Sequence, residues 1–153
     1  KKVISILNNE KRYTVYPSDI EIAAKIALEV NQYGNYENMW ESLSDVTEKV
    51  VLAAIAEELV YYNDYITLKK LYYKTEEIEN KYGLNSLLYK TRVTSAVNNM
   101  LKMNILAETR GGFRVSVELW RRWLRKAWPV QRVMDVYNED IKAETSKEEN
   151  TLD

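Results

Sequence analysis

Seven consecutive residues, Val50-Val51-Leu52-Ala53-Ala54-Ile55-Ala56, are apolar. Ser44-Asp45 ahead of them is a helix-start signal, so the run reads as helix. A helix that is apolar around its whole circumference has no face to give to water. It is therefore expected at the centre of the molecule, with partners on opposite sides. The chain has 153 residues, enough for one ordinary domain or two small ones packed around such a helix. No apolar stretch approaches the roughly 20 residues that span a bilayer. Lys1 to Leu7 could imitate a signal peptide, but Asn8-Asn9-Glu10-Lys11 ends it too early. The first residue is Lys rather than Met, and the chain is expected to be a piece of a larger protein.

The remaining segments arrange themselves around this run. Pro17-Ser18-Asp19-Ile20-Glu21 is a helix start, with Ser18 as cap and Glu21 as its capping-box partner. Ile20, Ala23, Ala24 and Ala27 then fall on one face, and the helix is expected to end before Gly34. A short helix from about Asn35 to Leu43 presents Tyr36, Met39, Trp40 and Leu43. After the central helix, Asn63-Asp64 breaks the pattern. Ile66-Thr67 reads as a short extended step, with Thr67 capping a helix from Leu68 to about Asn80. Lys81 to Asn85 is a turn, and Asn85 or Ser86 can cap the next helix. Its inner face would be Tyr89, Val93, Ala96, Val97, Met100 and Leu101. Ile105 to Arg110 and Phe113 to Val117 flank Gly111-Gly112 as a hairpin. Glu118 to Ala127 is a closing helix. Trp120, Trp123, Leu124 and Ala127 face inward, and Arg121, Arg122, Arg125 and Lys126 outward. Trp128-Pro129 ends it, residues 130 to about 143 can form another helix, and the acidic tail from Glu144 is expected to be disordered.

Helix, short strand, helix, turn, helix, hairpin is the order of a winged helix-turn-helix. The predicted fold is thus mainly α: a three-helix core with a β-hairpin wing, preceded by a small helical segment. Residues 1–43 form that segment, 44–130 the winged-helix domain with its closing helix, and 131–153 a C-terminal helix and tail.

Charge adds a second constraint. The net charge is −1, yet residues 86–133 hold 10 Lys/Arg against 2 Asp/Glu. Residues 1–85 hold 10 against 14, and residues 134–153 hold 2 against 7. A basic block of +8 between acidic ones invites a polyanion or an acidic protein surface, or is simply a solvated basic face. The chain has neither Cys nor His, which removes disulfides, thiol nucleophiles and imidazole chemistry, and leaves zinc only carboxylates. A reducing, cytoplasmic setting fits.

Three stretches resemble the C-terminal region of bacterial and archaeal STAND/AAA-type P-loop ATPases. Leu7 to Glu21, with its Leu7-Asn8 pair, Thr14-Val15 step and Ser18-Asp19-Ile20-Glu21 helix start, is similar to the joint of their lid subdomain. Trp40-Glu41-Ser42-Leu43-Ser44 matches the Trp-x-x-Leu-Ser that leads into their winged helix. Gly112 to Arg125, with Phe113-Arg114-Val115 followed by Leu119-Trp120-Arg121-Arg122-Trp123-Leu124, resembles their wing and closing helix. The resemblance covers roughly residues 3–130. Read from the residues alone, 3–16 would be a hairpin around Asn8-Asn9; the resemblance implies instead the end of a lid helix. It also implies an upstream ATPase core, holding ATP and Mg, on which this region docks. The chain itself has no Gly-x-x-x-x-Gly-Lys-Ser/Thr cradle and is expected to bind no cofactor and hydrolyse no nucleotide.

Catalysis within these residues is not expected. Neighbouring carboxylates such as Glu57-Glu58 and Glu76-Glu77 point about 100° apart on a helix, and no base is available to activate Ser or Thr. Recognition is better provided for. Thr91, Ser95, Asn98 and Lys102 line the outer face of the third core helix, with Arg92 and Asn99 at its edge. Such side chains meet base edges and phosphates in helix-turn-helix proteins. Arg110 and Arg114 on the wing would lie beside a flanking strand of double-stranded DNA. Arg121, Arg122 and Arg125 could hold an acidic partner or the ATPase core. The four Trp are assigned to packing, and the rings around Tyr61 to Tyr73 to a candidate protein contact. No membrane partner is expected.

Overall fold

The computed structural model describes residues 14–29, 33–61 and 63–149. Among them the chain is mainly helical, with eight helices and one small antiparallel sheet. None of these helices is long and apolar enough to cross a membrane. The chain divides into two compact units, Lys1–Glu41 and Ser42–Asp153, two residues before the expected boundary at 43/44.

The first unit contributes α1 (Pro17–Glu29) and α2 (Tyr33–Glu41). Helix α1 opens differently from the expected Ser18–Glu21 box. Pro17 takes the first helical position, where its missing N–H costs nothing. Asp19 then reaches back to accept a 2.7 Å bond from the Tyr16 N–H, and its side chain is buried in doing so. Asp19 is thus the third helical residue that Glu21 was expected to be. Ala23 and Ala24 are buried, whereas Ile20 is exposed. Trp40 and Tyr36 are buried on α2. The hairpin-or-lid expectation for residues 3–16 falls mostly on residues 3–13, outside the described ones; Thr14 to Tyr16 carry no regular structure.

The second unit is organised by α3 (Val46–Glu58). Its start is as expected: the Asp45 carboxylate accepts from the Thr47 N–H at 2.8 Å. Every residue from Val50 to Ala56 is shut off from solvent. Around α3 pack α4 (Leu68–Tyr82), α5 (Lys90–Lys102), α6 (Glu118–Ala127) and α7 (Val130–Val136), with β2 of the sheet also touching it. Burial extends to the polar first turn of α3. Thr47 donates to the Leu87 carbonyl at 3.4 Å, Glu48 accepts from Asn99, and Lys49 donates to the Tyr137 hydroxyl at 2.8 Å. The Lys49 ammonium also lies 4.4 Å from the centre of the Tyr137 ring, a cation–π contact that compensates part of its desolvation.

Thr67 caps α4 through its hydroxyl, which accepts from the Lys70 N–H at 3.2 Å. Gly83 closes α4 in the left-handed conformation, φ 64°, and the Leu84 N–H returns to the Glu79 carbonyl. Helix α5 begins later than the sequence suggested. Asn85 to Leu88 form an irregular turn, and Tyr89, not Asn85 or Ser86, occupies the cap position without a side-chain bond. Tyr89 is accordingly exposed rather than part of the inner face. Glu79 instead ties down the turn ahead of the helix: its carboxylate accepts from the Leu88 N–H at 3.0 Å.

Strands β1 (Leu106–Thr109) and β2 (Gly112–Val115) pair with Leu106 opposite Val115 and Thr109 opposite Gly112. The two loop residues are Arg110 and Gly111, so the turn sits one residue earlier than Gly111-Gly112. Gly111 takes the positive φ, 87°. Gly112 has a different duty. Ile66 and Phe113 exchange backbone bonds of 2.9 and 3.0 Å, which brings the loop before α4 against β2. A Cβ on Gly112 would overlap the Ile66 carbonyl.

Beyond α6, Pro129 starts α7, and the Glu57 carboxylate accepts from the Val130 N–H at 2.9 Å, favourable at a positive helix N-terminus. The expected single helix over 130–143 is two, separated at Tyr137. Over residues 144–149 the expected disorder is replaced by α8 (Asn138–Glu149); the rest of that tail, 150–153, lies outside the described residues. The acidic first turn of α8, Glu139 and Asp140, suits the helix dipole.

Three substitutions test this account. Leu52→Ala should remove about 2–5 kcal/mol of stability, seen as a lower urea midpoint, because α3 has no solvent side toward which to relax. Gly112→Ala should lower the thermal midpoint clearly, while Arg110→Ala, at the exposed turn beside it, stays within about 0.5 kcal/mol of the parent.

Candidate functional site

The residues singled out by sequence fall into three groups, which the fold treats differently. The first is the outer face of α5. Thr91, Ser95, Asn98 and Lys102 are all exposed, because Val93, Ala96, Val97 and Met100 take the opposite side into the core. They line a shallow, open concavity of about 470 Å³ together with Asn99, Lys90, Thr94 and Tyr72. The last three were not anticipated. Lys90 and Thr94 are one helical turn apart and were legible as polar α5 residues. Tyr72 comes from α4 and becomes visible only through tertiary packing. Its hydroxyl is 2.6 Å from the Thr94 hydroxyl, which in turn donates to the Lys90 carbonyl at 2.6 Å. The Lys90 ammonium stands 5.6 Å from the Tyr72 ring centre. The concavity is therefore polar, weakly basic and braced from one side by an aromatic ring.

The edge residues of that face are engaged elsewhere. Asn99 donates to Glu48 at 3.2 Å. Burial raises the Glu48 carboxyl above its ordinary range, the Asn99 bond lowers it in part, and nearby Asp45 raises it further. Arg92 is half-buried and pairs with Glu144 of α8 at 2.6 Å.

The β1–β2 hairpin, expected as a wing, forms the second group. Arg110 is exposed at the hairpin turn, and Arg114 projects from β2 to donate to the Asn63 side chain at 3.2 Å. Asn63 itself adopts a positive φ of 70°.

The third group is where expectation and structure part. Arg121 was assigned to the outer face of α6, but it is only 4% exposed. One step of 100° from Trp120 sets it beside Leu124, at the margin of the apolar arc rather than outside it. There Nη1 donates to the Leu59 carbonyl, just past the end of α3, while Nε and Nη2 bind Glu118 at 2.8 and 2.5 Å. Arg122 shares the same carboxylate at 2.9 Å. Arg125 reaches the Val60 carbonyl at 3.5 Å. Cations at a helix C-terminus complement its dipole, and Arg121 also satisfies a carbonyl that would otherwise be buried without a donor. These arginines serve the fold first; Lys126 is the exposed cation of α6. Arg121, Arg114 and Glu118 also border a small cleft of about 110 Å³ with Tyr61, Asn63 and Asp64.

The four tryptophans are buried, as the packing assignment required. The rings of Tyr61, Tyr65 and Tyr73 are exposed, Tyr61 by 74%. The chain matches no family model, no curated protein and no solved structure.

Glu118 gives a test of the arginine cluster. Burial pushes its carboxyl upward, but the bonds and charges of Arg121 and Arg122 outweigh this and leave it below the ordinary carboxylate range. A group whose folded pKa is lowered contributes stability above its unfolded pKa and loses it as pH falls through the folded value. Glu118→Gln should therefore destabilise the chain at pH 7, and the deficit should shrink below about pH 4. Urea midpoints at pH 7 and pH 3 measure this; an undiminished deficit at pH 3 would assign Glu118 a role in shape rather than charge.

Proposed function

We propose that this chain is a non-catalytic winged-helix module that recognises double-stranded nucleic acid through α5, with the β1–β2 hairpin as its wing. The observation that carries the reading is the division of labour on α5. One side of it is core, while Thr91, Ser95, Asn98 and Lys102, with Lys90 beside them, project from the helix into solvent. Side chains of this kind donate to phosphates and base edges, and a helix of thirteen residues has the length to lie in a major groove. The pairing of Ile66 with β2 supports the winged-helix plan, since it adds the short strand between the first two core helices to the hairpin. The resemblance to STAND/AAA-type ATPases extends the reading: the module would follow an ATPase core that holds ATP and Mg and would move with it.

The functional surface is revised by the geometry. Arg121 leaves it, and Arg122 is drawn toward Glu118. Lys90 joins Lys102, Arg110 and Arg114 as the cations presented to a phosphate backbone. A second reading, docking of a partner protein, is favoured by one observation, the exposed rings of Tyr61, Tyr65 and Tyr73.

Binding to labelled random-sequence duplex DNA at about 50 and 200 mM salt separates the two. Micromolar binding is expected at low salt, falling steeply at high salt and lost when Lys90, Lys102, Arg110 and Arg114 are changed together to Ala. Absence of binding at low salt would remove the nucleic-acid reading and leave the tyrosine-bearing surface as the contact.

A further inference from the structure

The acidic C-terminal helix does not simply trail behind the module; it reaches the edge of the face assigned above to nucleic acid. Glu144 lies 52 residues beyond Arg92 in sequence, yet its Oε2 is 2.6 Å from Arg92 Nη2. The pair is partly open to solvent, with 24% and 36% of the two side chains exposed. Helix α8 is lightly anchored: Ile141 is its buried residue among those described, and Glu139, Asp140, Lys142 and Ala143 are exposed. The segment from residue 134 onward is strongly acidic, and the segment carrying α5 strongly basic.

We propose that α8 is an intramolecular competitor for the α5 face, in which the Glu144 carboxylate occupies the place of a phosphate oxygen on Arg92. The inference rests on the nucleic-acid reading and specifies its regulation. A carboxylate and a phosphate oxygen are alternative acceptors for the same guanidinium, and both satisfy it by charge-assisted bonds. A half-exposed ion pair exchanges partners readily, because water already screens it. Displacing α8 releases Arg92 from Glu144 and so adds one cation to the binding face. The occupant that displaces it is a polyanionic duplex; a basic segment that captured α8 would act in the same direction.

The test uses the full chain and the same duplex titration. E144Q should bind duplex DNA several-fold more tightly than the parent, with a salt dependence steeper by about one phosphate contact. E77Q, on an exposed position of α4, makes the same change in net charge and should leave affinity and slope unaltered. In the absence of Arg92 the E144Q effect should vanish, so that R92A and R92A/E144Q bind alike. If the parent binds and E144Q matches it, or if E77Q tightens binding equally, the competitor is overturned while the nucleic-acid reading stands. An E144Q gain that persists in the R92A background overturns it as well. If neither the parent nor E144Q binds at low salt, the reading itself fails and the competitor with it. Binding seen only in E144Q supports both.

Discussion

The second unit depends on a helix with no outside. Helix α3 is apolar from Val50 to Ala56 and sealed throughout, so its neighbours must enclose it from every direction. Each of them needs only one apolar face, and each has one: Val93, Ala96, Val97 and Met100 on α5, Trp120, Trp123 and Leu124 on α6, Val130, Val133 and Met134 on α7. The polar faces of those helices are what the molecule shows to its surroundings. The outward face of α5 is in this sense a by-product of enclosing α3.

Enclosing a helix also means enclosing its ends, where backbone groups lack partners. The fold meets that demand with side chains drawn from far along the chain. Glu57 and Glu58 were read from sequence as neighbouring carboxylates that point apart on a helix. One accepts from the first N–H of α7, and the other pairs with Lys70. Arg121 answers the Leu59 carbonyl just past the last turn of α3, and Glu118 keeps the guanidinium from being buried alone. At the first turn, Lys49 and Glu48 find Tyr137 and Asn99. The charged residues nearest α3 are thus structural, and it is distance from α3 that frees a charge for other work.

This explains which parts of the molecule were legible in the sequence. The order of elements and most of the inward faces were, Ile20 and Tyr89 excepted, because periodicity reports them directly: Thr67, Asp45 and Gly83 sit at their helix ends as local chemistry requires. The start of α5 was not, because the turn before it is held by Glu79, a residue on another helix, rather than by a local cap. Nor was the helical state of residues 144 to 149, whose acidic composition reads as solvated coil while Ile141 and the Arg92–Glu144 pair hold the helix against the rest. For the candidate site, the outward row on α5 was legible from spacing alone. The availability of each member was not. Arg92, Asn99 and Arg121 look identical to their exposed polar neighbours until the partners Glu144, Glu48 and Leu59 are brought to them by folding.

The exchange of two backbone bonds between Ile66 and Phe113 has a mechanical consequence. A hairpin joined to a domain only at its base can wag as a free arm. Here β2 is clamped to the residue that precedes the cap of α4, and Gly112 lets the two backbones meet without a side chain between them. The hairpin is thereby fixed at a second point, on the loop that leads into α4, and α4 in turn sets Tyr72 against Thr94 on the flank of α5.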